Sequence, residues 1–489
     1  MNEKLEAFCH DIKGKTVSVI GLGISNTPVI DFLLQCGACV VGRDKKDAEQ
    51  LGAVAETLNA KGVALHLGAQ YLADIREDVI FKSPGIRPDV PEIEAARKNG
   101  CAVTSEMEVF LALCPAQIFA VTGSDGKTTT TTLIYKMLEM QCQKEGSGAK
   151  VYVGGNIGKP LLPEIASITE RDFVVLELSS FQLQAMKTGR EIKPWPSVAC
   201  ITNITPNHLN WHTDMEEYTD AKKQVFLSQA RGGRLILNYE NEVTRALARE
   251  AVGHVTMFSS KQVLTPGEGC DAVIFEQNGE ICFSSDVGEE PFPVLRTDEI
   301  LLPGRHNVEN YMTAIGAVRG YVDADTIGEI ARTFGGVEHR EEYVCTRGGV
   351  KYYNSSIDSS PTRTIAALYA FKQKLIVIMG GADKGVPFDV LAEPLSAHAK
   401  AVILTGAARE KLYTAITANE TFRASGVPVA VVPDFYDAID AARDAAAPGD
   451  TVILSPACTS FDAFPIFEAR GRAYKAHVVS YEDETPKNV

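Results

Sequence analysis

Residues 118–133 read IFAVTGSDGKTTTTTL, and their reading decides the fold. Ile118 to Val121 is an apolar run of the length of a buried strand. Gly123-Ser124-Asp125-Gly126 is a turn that cannot continue it, and Lys127-Thr128 opens a run through LIYKMLEM with helical apolar spacing. Strand, glycine turn and helix in that order make a phosphate cradle. The glycines let backbone N–H groups approach anionic oxygens, and the helix N-terminus adds the positive end of its dipole. In such a cradle Gly123, Ser124, Asp125 and Gly126 surround the phosphates, with Lys127 reaching the β/γ-phosphates. The Thr128 hydroxyl is placed to ligate Mg²⁺, with Thr129 beside it. Val121 stands where the full motif has glycine, so the motif is the shortened T-G-S-D-G-K-T. The stretch predicts a domain that binds a nucleoside triphosphate, ATP by default.

Upstream, residues 16–44 read strand, glycine turn, helix, strand: TVSVI, GLGIS, TPVIDFLLQCG, ACVVGRD. Gly21-x-Gly23 with Asp44 closing the second strand imitates a dinucleotide fingerprint, but Asn26 replaces the third glycine. The same turn suits a nicotinamide or another nucleotide diphosphate. A second turn, Ser83-Pro84-Gly85-Ile86, follows the apolar DVIF and is expected at the same crevice. SEMEVFLAL then leads into the cradle strand, and a domain boundary is placed near residue 106.

Downstream, Gly154-Gly155-Asn156-Ile157-Gly158 is a glycine turn, and FVVLELSSFQL puts Glu177 at the end of an apolar strand. A carboxylate there holds Mg²⁺ directly or through water. His208 follows another apolar strand, and Lys222 lies on the next predicted helix. From the residues alone, a structural and a ligating His208 are equally favoured. Residues 233–300 read as strands and turns, taken as a peripheral insertion. From about 337, strands alternate with helices again, which predicts a doubly wound parallel sheet with Lys384 and Ser460 just beyond strand ends.

Composition sets the limits. At 489 residues the chain exceeds one core, and length suggests about three domains. Eleven cysteines without a signal-peptide core predict reduced thiols and a cytoplasmic protein, and Cys36-x-x-Cys39 lacks a second pair at zinc spacing. No apolar run reaches bilayer length, so no membrane partner is expected. A net charge of −15 disfavours nucleic acid, leaving any anionic ligand to local groups.

Ten strings in order carry a resemblance over nearly the whole chain: GLGIS, SPGI, TGSDGKTTT, GGNIG, ELSSFQL, NHLNWH…YTDAK, LPGRHNVEN, GVEHR, GGADKG and LSPACTSFDAF…FEARG. Together they resemble the Mur ligase family, most closely its D-glutamate-adding branch. The resemblance implies three α/β domains: a Rossmann-like uridine-nucleotide domain (1–106), a central P-loop ATPase-type parallel sheet (107–336) and a Rossmann-like amino-acid domain (337–489). It implies an ATP-dependent ligase joining D-glutamate to UDP-N-acetylmuramoyl-L-alanine through an acyl phosphate, working as a monomer in peptidoglycan synthesis. Lys127, Glu177, His208 and Lys222 are then catalytic. Thr128, Glu177, His208 and Lys222 serve two Mg²⁺ sites, Lys222 as its carbon dioxide carbamate. Asn310, Arg340 and Ser355 are implied on the ATP side. Ser25, Asp44, Ser83 and Asn156, with Ser359, Lys384, Ser460, Phe461 and Phe467, are implied on the substrate side.

The chain also departs from the family pattern. Asn210 stands where members commonly carry Asp, and Asn354-Ser355-Ser356-Ile357 where many have Asn-Asp-Ser-Lys, with Asp358 close by as an alternative carboxylate. Other readings are a sibling Mur ligase, a folylpolyglutamate synthetase-like ligase, an NAD-dependent oxidoreductase and a non-catalytic homologue. The D-N-P-R string of the diaminopimelate-adding sibling is absent, since GGADKGVPF occupies its place.

Overall fold

The computed structural model describes residues 3–23, 26–87, 89–186, 195–208, 211–267, 269–285, 287–288 and 290–481. Two compact units form, residues 1–299 with 308–330 and residues 300–307 with 331–489. They hold three separate sheets, all built around parallel strands. The α/β class read from the sequence is the observed one.

The first unit begins with a five-stranded parallel sheet. Its order is Ala64–Leu67, Cys39–Asp44, Thr16–Ile20, Val79–Lys82, Ala102–Thr104. The direction of winding reverses between Thr16–Ile20 and Val79–Lys82, so the turns after those two strands face one crevice. Cys9 and Cys36 are joined here as a disulfide, their Cα atoms 4.7 Å apart, where free thiols were expected. The pairing follows from the packing of Glu3–Ile12 on Thr27–Gln35, where Phe8 stacks on Phe32. The other nine cysteines are thiols.

The same unit contains a nine-stranded sheet in which the cradle strand, Gln117–Thr122, is third from one edge. Phe173–Glu177 and Val151–Gly155 lie on one side of it. Val198–Ile201, Arg234–Asn238, His254–Ser259 and Ala272–Gln277 follow in parallel on the other, and Glu280–Ser284 and Phe292–Arg296 close that edge antiparallel. Residues 233–300 therefore extend the sheet and are no peripheral insertion. Their strands are only five or six residues long, and Arg234–Asn238 and His254–Ser259 bury nearly every side chain against neighbours that local sequence does not reveal.

The second unit wraps a six-stranded sheet of order Glu342–Arg347, Val350–Asn354, Thr451–Leu454, Leu375–Gly380, Ala399–Thr405, Val429–Val431. All neighbours are parallel except the first pair. The winding reverses at Thr451–Leu454, which brings the loops after Val350–Asn354, Leu375–Gly380 and Thr451–Leu454 to one crevice.

Candidate active site

The cradle sits at the reversal point of the nine-stranded sheet, between the ends of Phe173–Glu177 and Val198–Ile201. Gly123 (φ +149°) and Gly126 (φ +78°) occupy backbone conformations that side chains avoid. A Cβ on Gly123 would lie 1.9 Å from Thr202 Oγ1, and one on Gly126 2.4 Å from Asn310 Oδ1. The loop is pinned from the neighbouring strand end. Ser124 N donates to Asn203 O, Asp125 N to Asn203 Oδ1, and Thr202 Oγ1 to Asp125 O. Ser124 Oγ donates to Thr205 O and lies 3.0 Å from Tyr218 Oη. Lys127 Nζ donates to Gly123 O (3.0 Å) and Ser124 O (2.9 Å), holding its ammonium over the turn it opens. Asp125 is exposed, Thr128 half-buried and Thr129 buried, and Asn310 accepts from Thr130 Oγ1.

Glu177 is buried beside this loop, in register with Val121. One carboxylate oxygen accepts from Asn156 Nδ2 at 2.8 Å. The other, Oε2, is buried and takes no hydrogen bond among the described residues. A buried carboxylate oxygen without a donor fits a cation, so the donor set here suits Mg²⁺. Asn156 therefore orients Glu177, a role its sequence position did not suggest.

Lys222, on Met215–Leu227, is 1% exposed. Its Nζ donates to Gly123 O (2.7 Å) and Thr122 Oγ1 (3.4 Å) and lies 4.6 Å from the centre of the Tyr218 ring. Burial first, then the Lys127 charge, hold its pKa well below the usual lysine range. His208 takes a left-handed backbone (φ +54°) and packs its ring edge-on to Phe181. Burial, Lys127 and Lys222 lower its pKa, favouring the neutral, metal-binding imidazole. Asn210 lies outside the described residues.

Two residues the sequence reading passed over hold the His208 loop. His212 Nε2 meets Ser180 Oγ at 2.9 Å, and Trp211 Nε1 donates to Gln184 Oε1. Their partners lie on Ser180–Met186, about thirty residues earlier, so no local pattern could show them. From the first sheet, Arg87 donates to Trp211 O and pairs with Glu217 at 3.5 Å.

At the first crevice, Asp44 Oδ2 accepts from Leu22 N (2.7 Å) and Oδ1 from Lys46 N (2.9 Å), so the carboxylate also braces the glycine turn. Gly21 (φ +90°) abuts Ser83, where a Cβ would lie 2.8 Å from Ser83 Cβ. Lys82, also overlooked in sequence, is buried and shapes the Ser83 turn by donating to Ser83 O and Ile86 O (2.6 Å). Burial lowers its pKa to about 8, and burial raises that of nearby Glu108 to about 7. Ser25 lies outside the described residues.

In the second unit, Lys384 Nζ donates to Ser359 Oγ at 3.4 Å; Lys384 follows Leu375–Gly380, and Ser359 follows Val350–Asn354. Ser460 is buried, its carbonyl accepting from Ala463 and Phe464, while Phe461 is exposed. Phe467 stands edge-on to His339. Ser355 is wholly buried, and its hydroxyl accepts from Glu341 N. Asp358 is buried as well, accepting from Ser455 Oγ, and burial raises its pKa to about 6. Arg340 is half-buried, its backbone paired with Val337. A cavity of about 520 Å³ lies at the N-terminal ends of Val198–Ile201, Arg234–Asn238, His254–Ser259 and Ala272–Gln277, and includes none of these residues.

The geometry is that of a P-loop with a buried second lysine and an unpartnered carboxylate oxygen. Comparison with known proteins gives the same direction. Residues 15–105 match the Mur ligase MurD-like N-terminal domain, 121–318 the Mur ligase middle domain, and 339–458 the Mur ligase glutamate ligase domain. The UDP-N-acetylmuramoylalanine–D-glutamate ligase of Ruminiclostridium cellulolyticum is 45% identical over 97% of this chain and 98% of its own. That of Acetivibrio thermocellus is 46% identical over 99% and 100%. The fold also matches the solved UDP-N-acetylmuramate–alanine ligase of Thermotoga maritima, with a TM-score of 0.54 and 18% identity over 96% of this chain and 100% of that one. With three successive family domains and such identity along nearly its whole length, this chain belongs to the Mur ligase family.

Proposed function

We propose that this chain joins D-glutamate to UDP-N-acetylmuramoyl-L-alanine with ATP, through an acyl phosphate, as a step of peptidoglycan synthesis. One observation carries the reading from the structure: Lys127, Lys222 and the free oxygen of Glu177 converge on one glycine loop. The names of the full-length relatives supply the substrates.

The chemistry follows from a poor leaving group. A carboxylate does not expel oxide, so its oxygen first attacks the γ-phosphorus of ATP and ADP leaves. The amine then attacks the acyl carbon, the tetrahedral adduct collapses, and phosphate departs as the amide forms. The protein's share is positioning and charge neutralisation. Lys127 and the backbone of residues 123–126 hold the phosphates. Glu177 and Thr128 would hold one Mg²⁺, and His208 with the carbamate of Lys222 a second. Bound there, Mg²⁺ neutralises charge that builds on the transferring phosphoryl group. Ser25, Asp44 and Ser83 face the uridine diphosphate, Arg340, Asn310 and the Ser355 segment the adenosine half. Ser359, Lys384, Ser460, Phe461 and Phe467 receive D-glutamate. Domains of 1–106, 107–336 and 337–489, a monomeric state, and action in the cytoplasm without nucleic acid or membrane complete the reading. No described helix is long and apolar enough to cross a membrane.

Phosphate release with UDP-N-acetylmuramoyl-L-alanine and a panel of amino acids tests it. D-Glutamate should stand alone, with D-glutamine and D-alanine poor, because a cation left without its partner rejects neutral analogues. Lys384→Met should raise the KM for D-glutamate by roughly ten- to a hundredfold, the effect of losing a charged hydrogen bond of about 1.5–3 kcal/mol. Equal release with D-alanine would assign the chain to another reaction.

A further inference from the structure

Arg470, on Phe467–Val479, is 3% exposed, and the geometry accounts for all five of its N–H donors. Nε donates to Ser356 Oγ at 3.0 Å. Nη1 donates to Thr459 O at 3.0 Å and Gly380 O at 3.4 Å. Nη2 donates to Ser356 O at 2.9 Å and Cys458 O at 3.1 Å. None of these acceptors is a carboxylate, and none lies in the interior of the sheet. All belong to the loops after Val350–Asn354 and Thr451–Leu454 or to the last residue of Leu375–Gly380, the three strands that meet at the crevice.

Those loops carry Ser359, Ser460 and Lys384. Two are also zipped to each other, since Ala382 N donates to Thr459 O, Thr459 N to Ala382 O and Thr459 Oγ1 to Ala382 O. Glycine at 381 leaves room for the guanidinium, because a Cβ there would lie 2.9 Å from Arg470 Nη1 and 2.1 Å from Thr459 O. Ser356 Oγ donates its own hydrogen bond to Phe467 O at 2.8 Å, tying the start of the Arg470 helix to the same loop. A planar fork with five fixed donors is the one side chain that satisfies such a set, and a lysine offers three donors from one point.

We infer that Arg470 is a positioning residue that sets the mutual placement of the three loops receiving the incoming amino acid. The inference rests on the assignment of D-glutamate to this crevice. Arg470 itself touches no substrate. Its removal leaves the strands and their ladders in place while the loops lose a common anchor, so the cost falls on amino-acid capture and discrimination. Burial lowers its pKa to about 10, still far above neutrality, so the fork is charged under all working conditions.

Arg470→Lys, Ser356→Ala and Lys384→Met are to be compared with wild type in the full-length protein. For each, the KM values for D-glutamate, ATP and UDP-N-acetylmuramoyl-L-alanine, the D-glutamate over D-glutamine ratio and the thermal midpoint are measured. Arg470→Lys should lower kcat/KM for D-glutamate by roughly 10²-fold, as a misplacement of about 1 Å does, chiefly through KM, and narrow the amino-acid ratio. Ser356→Ala, which removes one acceptor and leaves the guanidinium in place, should move the same quantities by less. The KM for UDP-N-acetylmuramoyl-L-alanine should stay near wild type, and that for ATP, whose adenosine half is assigned to the Ser355 segment, should rise by less than that for D-glutamate. A fall in thermal midpoint alone, or an equal rise in all three KM values, overturns the proposal. If Lys384→Met leaves the D-glutamate KM unchanged, the location of the amino-acid site is wrong. If Lys384→Met raises it and Arg470→Lys does not, only the role of Arg470 is lost.

Discussion

Lys222→Ala is expected to be nearly inactive, at least two to three decades below wild type by the cost of removing one group that stabilises transition-state charge. The side chain is buried against the cradle, donating to Gly123 O, with Lys127 close enough to depress its pKa. An ammonium there would repel any Mg²⁺ near the phosphates. The same surroundings shift the balance toward the neutral amine, and a neutral amine adds to carbon dioxide: the N–C bond forms, one proton leaves, and an anionic carbamate with two oxygens results. Hard cations such as Mg²⁺ prefer anionic oxygen ligands, which a carbamate supplies and an amine does not. Short carboxylic acids should restore part of the activity of Lys222→Ala by placing a carboxylate in the vacated space. Bicarbonate should raise wild-type activity in carbon-dioxide-depleted buffer and leave the variant unchanged. Mass spectrometry at alkaline pH should find the carbamate mass on the wild type alone. Rescue of the variant by bicarbonate, or failure of every small acid with the fold intact, counts against the carbamate.

Local patterns made the cradle legible. Gly123, Gly126, Lys127 and Thr128 lie within six residues, so their placement follows from backbone geometry over one turn. Glu177 and Lys384 were legible for a related reason, since an apolar run marks a strand and ligands gather at strand ends. What escaped were contacts whose meaning depends on burial and distant partners. Arg470 reaches Ser356 across 114 positions, and His212 reaches Ser180 across 32. Lys82 looks like an ordinary strand-end charge until the turn closes over it. Asp44 shows the converse: the carboxylate is where expected, but backbone N–H groups already occupy both oxygens. Cys9 and Cys36 are 27 residues apart in sequence and meet only because two helices pack.

The departures at 354–357 also look different in three dimensions. Ser355 and Asp358 are buried, and Ser355 is bonded to the backbone of Glu341 while Asp358 takes the Ser455 hydroxyl. The carboxylate missing at 355 is thus present three residues later in the same polar cluster. A cluster that is fully hydrogen-bonded fixes loop shape, whichever of its members carries the charge.

Lys127→Ala is expected to abolish ligation while the fold survives. The ammonium donates to Gly123 O and Ser124 O of the loop, and the residue is half-buried. Little apolar packing is lost with it, so the thermal midpoint without nucleotide should stay within a few degrees, as for a substitution outside the core. The phosphates, by contrast, lose the one side-chain cation that opens the helix at their cradle. Removing such a preorganised contact typically costs about 2.7–4 kcal/mol, or roughly two to three decades in kcat. Two further signs follow from the structure. ATP should no longer raise the thermal midpoint, since binding to the folded state is what stabilises it. Lys222 should also regain basicity, because Lys127 is one of the charges that depress it. Bicarbonate should therefore be needed at higher concentration or higher pH to modify Lys222 in the variant. Near-normal turnover in Lys127→Ala, with the thermal midpoint unchanged, would mean that residues 123–128 do not hold the triphosphate.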